Sequence, residues 1–292
     1  MGHVTVVTLE EGMRRLEVGI SKAKLILDGY PPKALFTSEE YMKYYDCVYS
    51  MCTQQPPNDY SAELLQRFKG ALEESLLLKV LPSLYDKDGA PLLVELLRMW
   101  TNYKAMTKCL GVFFLYLDRQ CAYRKNDAPL QDLATFHFHD LICKHIHQRM
   151  FSAAASLVAQ DRNGQSIDTD LLKNISTFFI EIQDQKKASY YDNFETLILA
   201  DTANFYSRLA SQWLLCYSST DYVLKVEQCI NEEKARAHRF LCPPSVEKVL
   251  WTVHSQLIDQ TANRLIEKRR AENQDLTTYQ ELLSRCADMS IH

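Results

Sequence analysis

The breaks in this sequence are few and sharp. Asp28-Gly-Tyr-Pro-Pro32, Gln54-Gln-Pro-Pro-Asn-Asp59, Asn126-Asp-Ala-Pro129, Asp161-Arg-Asn-Gly164 and Cys242-Pro-Pro244 gather glycine, proline and short polar residues. Such clusters end helices, because proline lacks an N–H and glycine accepts the left-handed stop conformation. Only 8 Gly and 9 Pro occur in 292 residues, so the segments between breaks are long and rich in helix formers. They also carry apolar residues at helical spacing; Leu9, Met13, Leu16, Ile20, Ala23 and Leu27 keep a 3.6-residue period. An all-α fold is predicted.

The spacing predicts a first helix over about 8–27, opened by the capping-box pair Thr8 and Glu11. A second runs over 38–52 from a Ser38 cap, a partial one because Tyr41 stands where Glu would complete the box. Helices over 61–81, 91–106 and 108–125 follow. Beyond Pro129 the pattern predicts a long helix over 130–160, one from an Asp168 cap to 181, and another over 190–216. The next is capped by Ser219 or Thr220 and reaches 241, and a last amphipathic stretch covers 246–272. Two five-helix blocks result, at about 8–125 and 130–270. No sequence period links them, so a short repeat is not shown by identity. Successive bundles of about 120 residues predict a stacked, rod-like architecture.

Several function classes are disfavoured. A net charge of −4 lacks the basic surplus of nucleic-acid binders. The most apolar run, Cys109 to Leu117, is nine residues, too short to cross a membrane. Nine cysteines without a CxxC pair, and no visible secretory signal, predict free thiols in the cytoplasm, the nucleus or both. No nucleophile-elbow, Walker, dinucleotide or zincin motif occurs, and His254 has no matched nucleophile; no enzyme activity and no cofactor are expected. His139, Cys143 and His147 share a helix face at i, i+4, i+8, but the outer two lie ~12 Å apart along a helix. They are read as partly buried helix residues rather than ligands, since structural zinc needs four converging groups. Lys268-Arg-Arg270 is read as a solvated helix end.

The stretch Ser38 to Cys52 stands apart. Tyr41, Tyr45, Val48 and Cys52 fall on one face, while Met42, Tyr44, Tyr49 and Met51 fill others. A helix with large groups on several sides needs a second covering surface. Two readings stand: core on both sides, or a core stripe beside a docking face of Tyr and Met anchors.

Five ordered stretches carry a resemblance. Tyr41-Met-Lys-Tyr-Tyr-Asp-Cys-Val-Tyr49, Leu115-Tyr-Leu-Asp-Arg119 and Arg162-Asn-Gly-Gln-Ser-Ile-Asp-Thr-Asp-Leu-Leu172 are the first three. Phe194 to Arg208, with its Leu-Ala-Asp-Thr and Phe-Tyr-Ser-Arg segments, and Asp221 to Lys234 complete the set. Together they resemble the N-terminal stalk of cullins of the SCF type, with a plant-like character in Met51-Cys-Thr-Gln-Gln-Pro-Pro-Asn-Asp-Tyr-Ser61. The resemblance implies stacked five-helix cullin repeats forming an elongated rod, with repeat 1 over 1–126, repeat 2 over 127–272, and the start of a truncated third over 273–292. It implies a non-catalytic scaffold of a ubiquitin ligase whose first repeat binds a Skp-family adaptor and, through it, F-box substrate receptors. Tyr41, Met42, Tyr45, Asp118, Arg119 and Tyr123 are the adaptor-binding positions it implies. The RING-recruiting half of cullins has no counterpart here, so a RING protein is not expected to bind this chain, and a fragment or an adaptor-occupying competitor is expected. After Asp118-Arg119 the family places two bulky groups where this chain has Gln120 and Cys121, with Tyr123 one turn away. The alternative is an α-helical tethering rod unrelated to ubiquitin.

Overall fold

The computed structural model describes residues 7–54, 59–123, 128–182, 189–272 and 284, and no strand occurs among them. The chain divides into two compact units, Met1–Met150 and Phe151–His292. The break at 126–129 falls between helices, with 124–127 outside the described residues, as is 273–292 apart from Ser284.

In the first unit, α1 (Leu9–Lys24) opens with Thr8 Oγ1 accepting the Glu11 N–H, as the capping pair predicts. Its last predicted turn is tighter, a 3₁₀ segment over Leu25–Asp28, before Gly29 turns the chain at φ 97°. A single turn, α2 (Pro32–Leu35), precedes α3 (Ser38–Cys52). The cap of α3 is Thr37, not Ser38. Thr37 Oγ1 accepts the Glu40 N–H while the Thr37 N–H donates to the Glu40 carboxylate at 2.9 Å, so the box is complete once counted from the right residue. Next, α4 (Ser61–Ser75) passes through a π turn at Leu76–Val80 into α5 (Leu81–Tyr85).

Two helices predicted over 91–106 and 108–125 divide elsewhere: α6 (Gly89–Phe113) runs unbroken past Thr107, and α7 (Leu115–Tyr123) follows a break at Phe114. Thr107 lies buried within the helix, its hydroxyl donating back to the Lys104 carbonyl. Phe113 and Phe114, at the break, are both fully buried, Phe113 against Phe36 and Tyr44, Phe114 against Phe68. Then α8 (Leu130–Phe138), a π turn at His139–Cys143 and α9 (Lys144–Arg162) form the long helical stretch predicted over 130–160.

The buried stripe of α3 is Tyr44, Cys47, Val48, Met51 and Cys52, which replaces the predicted Tyr41–Tyr45–Val48–Cys52 face. The reason lies on α1. A Cβ on Gly19 would stand 2.9 Å from the Tyr44 ring, and one on Gly12 would clash with the Met51 thioether. Two glycines seven residues apart thus open a seam into which α3 lays Tyr44 and Met51.

In the second unit, α10 (Thr169–Glu181) is capped by Asp168 Oδ1 on the Leu171 N–H, and α11 runs Tyr190–Cys216, both as predicted. Ser218 rather than Ser219 or Thr220 caps α12 (Ser219–Ala237), again because the hydroxyl must reach the N–H three residues on, here Asp221. The predicted last helix is two, α13 (Pro243–His254) and α14 (Ala262–Ala271), separated by a π turn at Ser255–Asp259 and the step at Gln260–Thr261. There the buried Thr261 hydroxyl donates to the Leu257 carbonyl at 2.7 Å, which also receives the Tyr222 hydroxyl at 2.8 Å. Phe151, Phe179 and Phe194 form a run of ring contacts at 5.2 Å spacing in the core. Lys268-Arg-Arg270 is not a solvated end: Lys268 donates to the Leu214 carbonyl, Arg269 is buried, and only Arg270 is exposed.

Three of the motif stretches meet in this unit. Arg162, its side chain 1% exposed, donates to Glu233 Oε1 at 2.8 Å, to Asp201 Oδ2 at 2.6 Å and to Thr202 Oγ1. Tyr206 donates to Glu233 Oε2 at 2.8 Å, and Arg236 joins Glu233 to Asp161. Motif residues far apart in sequence are therefore the parts of one buried ion network across α9, α11 and α12.

Candidate functional site

The first unit carries the candidate face, on α3 and α7, which pack on each other while α3 also packs on α6. With Tyr44 and Met51 directed at α1, the helical 100° step turns Met42, Tyr45 and Tyr49 outward at i, i+3, i+7. Met42 is 56% exposed, Tyr49 is 44% exposed, and Tyr45 is half-buried. Tyr45 stacks on Tyr49 with ring centres 6.3 Å apart. Tyr49 in turn meets the edge of Tyr116 on α7 at 4.8 Å. The aromatic groups of the two helices thus form one continuous row.

The six positions implied by resemblance separate within this geometry. Met42 and Tyr45 lie on the outward row, and Arg119 is exposed on α7. Tyr41 is half-buried and directed inward; its hydroxyl lies 3.4 Å from Cys109 Sγ in a hydrogen bond, and its ring packs on Phe36 and Phe113. Burial first, and then the Cys109 contact, push its phenol well above the usual tyrosine range. Asp118 is half-buried, and its Oδ1 accepts the Leu130 N–H at 2.8 Å. Tyr123 ends α7, and its side chain lies outside the described residues, as does that of Cys121. Gln120 is also engaged internally: Ser61 Oγ stands 3.1 Å from Gln120 Oε1 and 2.6 Å from Asp59 Oδ1.

Tyr49 and Tyr116 belong to the row but were not among the implied positions. The i+7 spacing from Met42 was the available signal for Tyr49; for Tyr116, nothing short of the α3–α7 pairing reveals it. Among the other candidates, His139 and Cys143 are buried while His147 is exposed, with Nδ1 2.9 Å from the Lys144 carbonyl. No group of three or more His, Cys, Asp or Glu side chains placed to hold a metal occurs among the described residues. What the α3–α7 face offers is exposed apolar and aromatic area, of the composition common at protein interfaces.

Comparison with known proteins agrees with the ordered motifs. Residues 25–291 match the cullin alpha solenoid domain. The chain is 40% identical over 265 residues to Cullin-1 of Oryza sativa subsp. japonica, covering 91% of this chain and 36% of that protein. It is 34% identical to putative cullin-like protein 1 of Arabidopsis thaliana, covering 91% of this chain and 37% of that one. With putative cullin-like protein 2 of the same plant it shares 32% identity, covering 94% of this chain and 72% of that protein. The chain spans little more than a third of the first two relatives. A helical fold, the ordered motifs and a family match across nearly the whole sequence lead to one conclusion: this chain belongs to the cullin family.

Proposed function

We propose that this chain is a non-catalytic scaffold segment of a cullin-RING ubiquitin ligase, and that α3 and α7 receive a Skp-family adaptor carrying an F-box substrate receptor. The observation that supports this reading is the outward row of Met42, Tyr45 and Tyr49, joined by Tyr116, on the two helices that bear the family's adaptor motifs. Interface energy concentrates in such anchors, and truncating one at a hot spot costs about 2 kcal/mol or more. That is more than tenfold in affinity for each, at about 1.4 kcal/mol per decade. Met42→Ala combined with Tyr45→Ala therefore removes adaptor binding measured by calorimetry, while the helical circular-dichroism signal is unchanged because both side chains point away from the α1 seam. Binding at parental affinity by the double variant would move the docking face elsewhere on the chain.

A further inference from the structure

In the second unit the last described helix ends beside exposed apolar groups. Lys268 on α14 donates to the Leu214 carbonyl at 2.7 Å, and the carboxylate of Glu272, just past α14, accepts the Ser219 N–H at 3.0 Å. Glu272 is thereby fixed at the junction of α11 with α12. Leu215 stands at that junction 79% exposed, Tyr217 is exposed beside it, and Leu224 on α12 is 50% exposed. Single exposed leucines are ordinary; these three large apolar groups share the place where the chain departs.

The sequence that follows carries a matching stripe. At about 100° per residue, Leu276, Tyr279, Leu282, Leu283 and Cys286 fall within a sector about 120° wide, while Glu281, Ser284 and Arg285 fall outside it. Ser284 is helical and exposed, as the polar side of such a helix requires. The first unit shows how a helix in this place is used. There α8, which follows α7, packs on α4 and α6. It lays Phe138 on Trp100 at 4.7 Å and on Tyr103 at 5.2 Å, and the Tyr103 hydroxyl donates to the Ala134 carbonyl at 3.0 Å.

We infer that residues 276–286 form an amphipathic helix that folds back on the α11–α12 junction and covers Leu215, Tyr217 and Leu224. The occupant of this surface is the chain itself, for a reason of distance. Only residues 273–275 separate the stripe from Glu272, and three extended residues reach about 10 Å. A tether that short holds the stripe at a roughly millimolar effective concentration beside the junction, a level that a second copy or another protein must match to displace it. The inference stands apart from adaptor binding, which concerns the first unit.

The experiment uses the full 292-residue chain with the photo-reactive residue p-benzoylphenylalanine in place of Leu215, an exposed position that accepts a large ring. Irradiation links it to peptides within 276–286 of the same chain, giving a monomeric product. Tyr279→Asp with Leu283→Asp places two charges in the stripe and abolishes the link. Gln280→Asp with Ser284→Asp adds the same charge to the polar side and keeps it. Amide hydrogen exchange without the probe gives a second readout. Exchange over 276–286 is about tenfold slower in the parent and the polar-side variant than in the stripe variant, the ratio that about 1.4 kcal/mol of docking supplies. Links that map elsewhere in the chain, or equal exchange in all three proteins, overturn the inference. A dimeric linked product also overturns it, because a second copy would then be the occupant.

Discussion

Glu233 is the residue on which the second unit turns. Its carboxylate is 2% exposed and receives Arg162, Arg236 and the Tyr206 hydroxyl. Burial pushes its pKa up, but the two guanidiniums and the phenol more than reverse this, leaving it below the ordinary glutamate value. A group depressed in this way stabilises the fold above its unfolded value, near pH 4.3. That contribution is lost as pH falls through the lower folded value. Glu233→Gln removes the buried carboxylate that the two guanidiniums share, leaving Arg162 with Asp201 and Arg236 with Asp161, and is expected to cost about 1.5–3 kcal/mol. Chemical denaturation of the variant at neutral pH measures the loss. The same titration repeated through pH 5 to 3 shows the parental advantage shrinking toward the acid end. A variant as stable as the parent would mean that the network is decoration on a core held by its phenylalanines.

At the scale of elements, the α1–α3 seam makes a counter-intuitive case. Gly19→Ala raises helix propensity by about 0.8–1.0 kcal/mol in an exposed helix. Here the added Cβ would stand 2.9 Å from the Tyr44 ring, which is itself wedged against Phe36 and Phe113. Overpacking of that kind costs about 1–3 kcal/mol, so the variant melts at lower temperature than the parent, and pairing it with Tyr44→Leu recovers part of the loss. The same seam marks the limit of sequence reading. Helix ends at proline and glycine clusters were legible, as were α10 and α11, because the stop signal sits in the residues themselves. The buried stripe of α3 was not, because it is chosen by glycines on another helix, and the α6–α7 break was not, because no proline or glycine cluster marks it. Of the candidate face, the periodicity left Met42 off the buried stripe but wrongly put Tyr45 on it, and the internal bonds of Tyr41 and Asp118 depend on Cys109 and Leu130, which no local spacing reveals.

For the molecule as a whole, no helix among the described residues is long and apolar enough to cross a membrane, and the proposed function has a consequence in competition. A scaffold segment that engages an adaptor competes with any full cullin for it. Titrated into a reconstituted cullin-RING reaction, these 292 residues are therefore expected to lower F-box-dependent ubiquitin transfer, and the Met42→Ala, Tyr45→Ala double variant is not. Equal inhibition by both would point to a contact other than the Tyr/Met row. The π turn at Leu76–Val80 has a consequence of a different kind. A π turn is an α-helix that has absorbed one extra residue in a widened loop while the turns on either side keep their faces. One residue can therefore be removed there without shifting the faces on either side. Leu78, 74% exposed in that turn, is the natural residue to delete: the helix would close to regular α geometry with Leu76 and Leu84 still buried, and the shortened chain would melt close to the parent. Deleting one residue from the middle of α4 instead would swing every later side chain by about 100° and unfold the unit. Gaps of one residue among related chains are expected to gather at this turn.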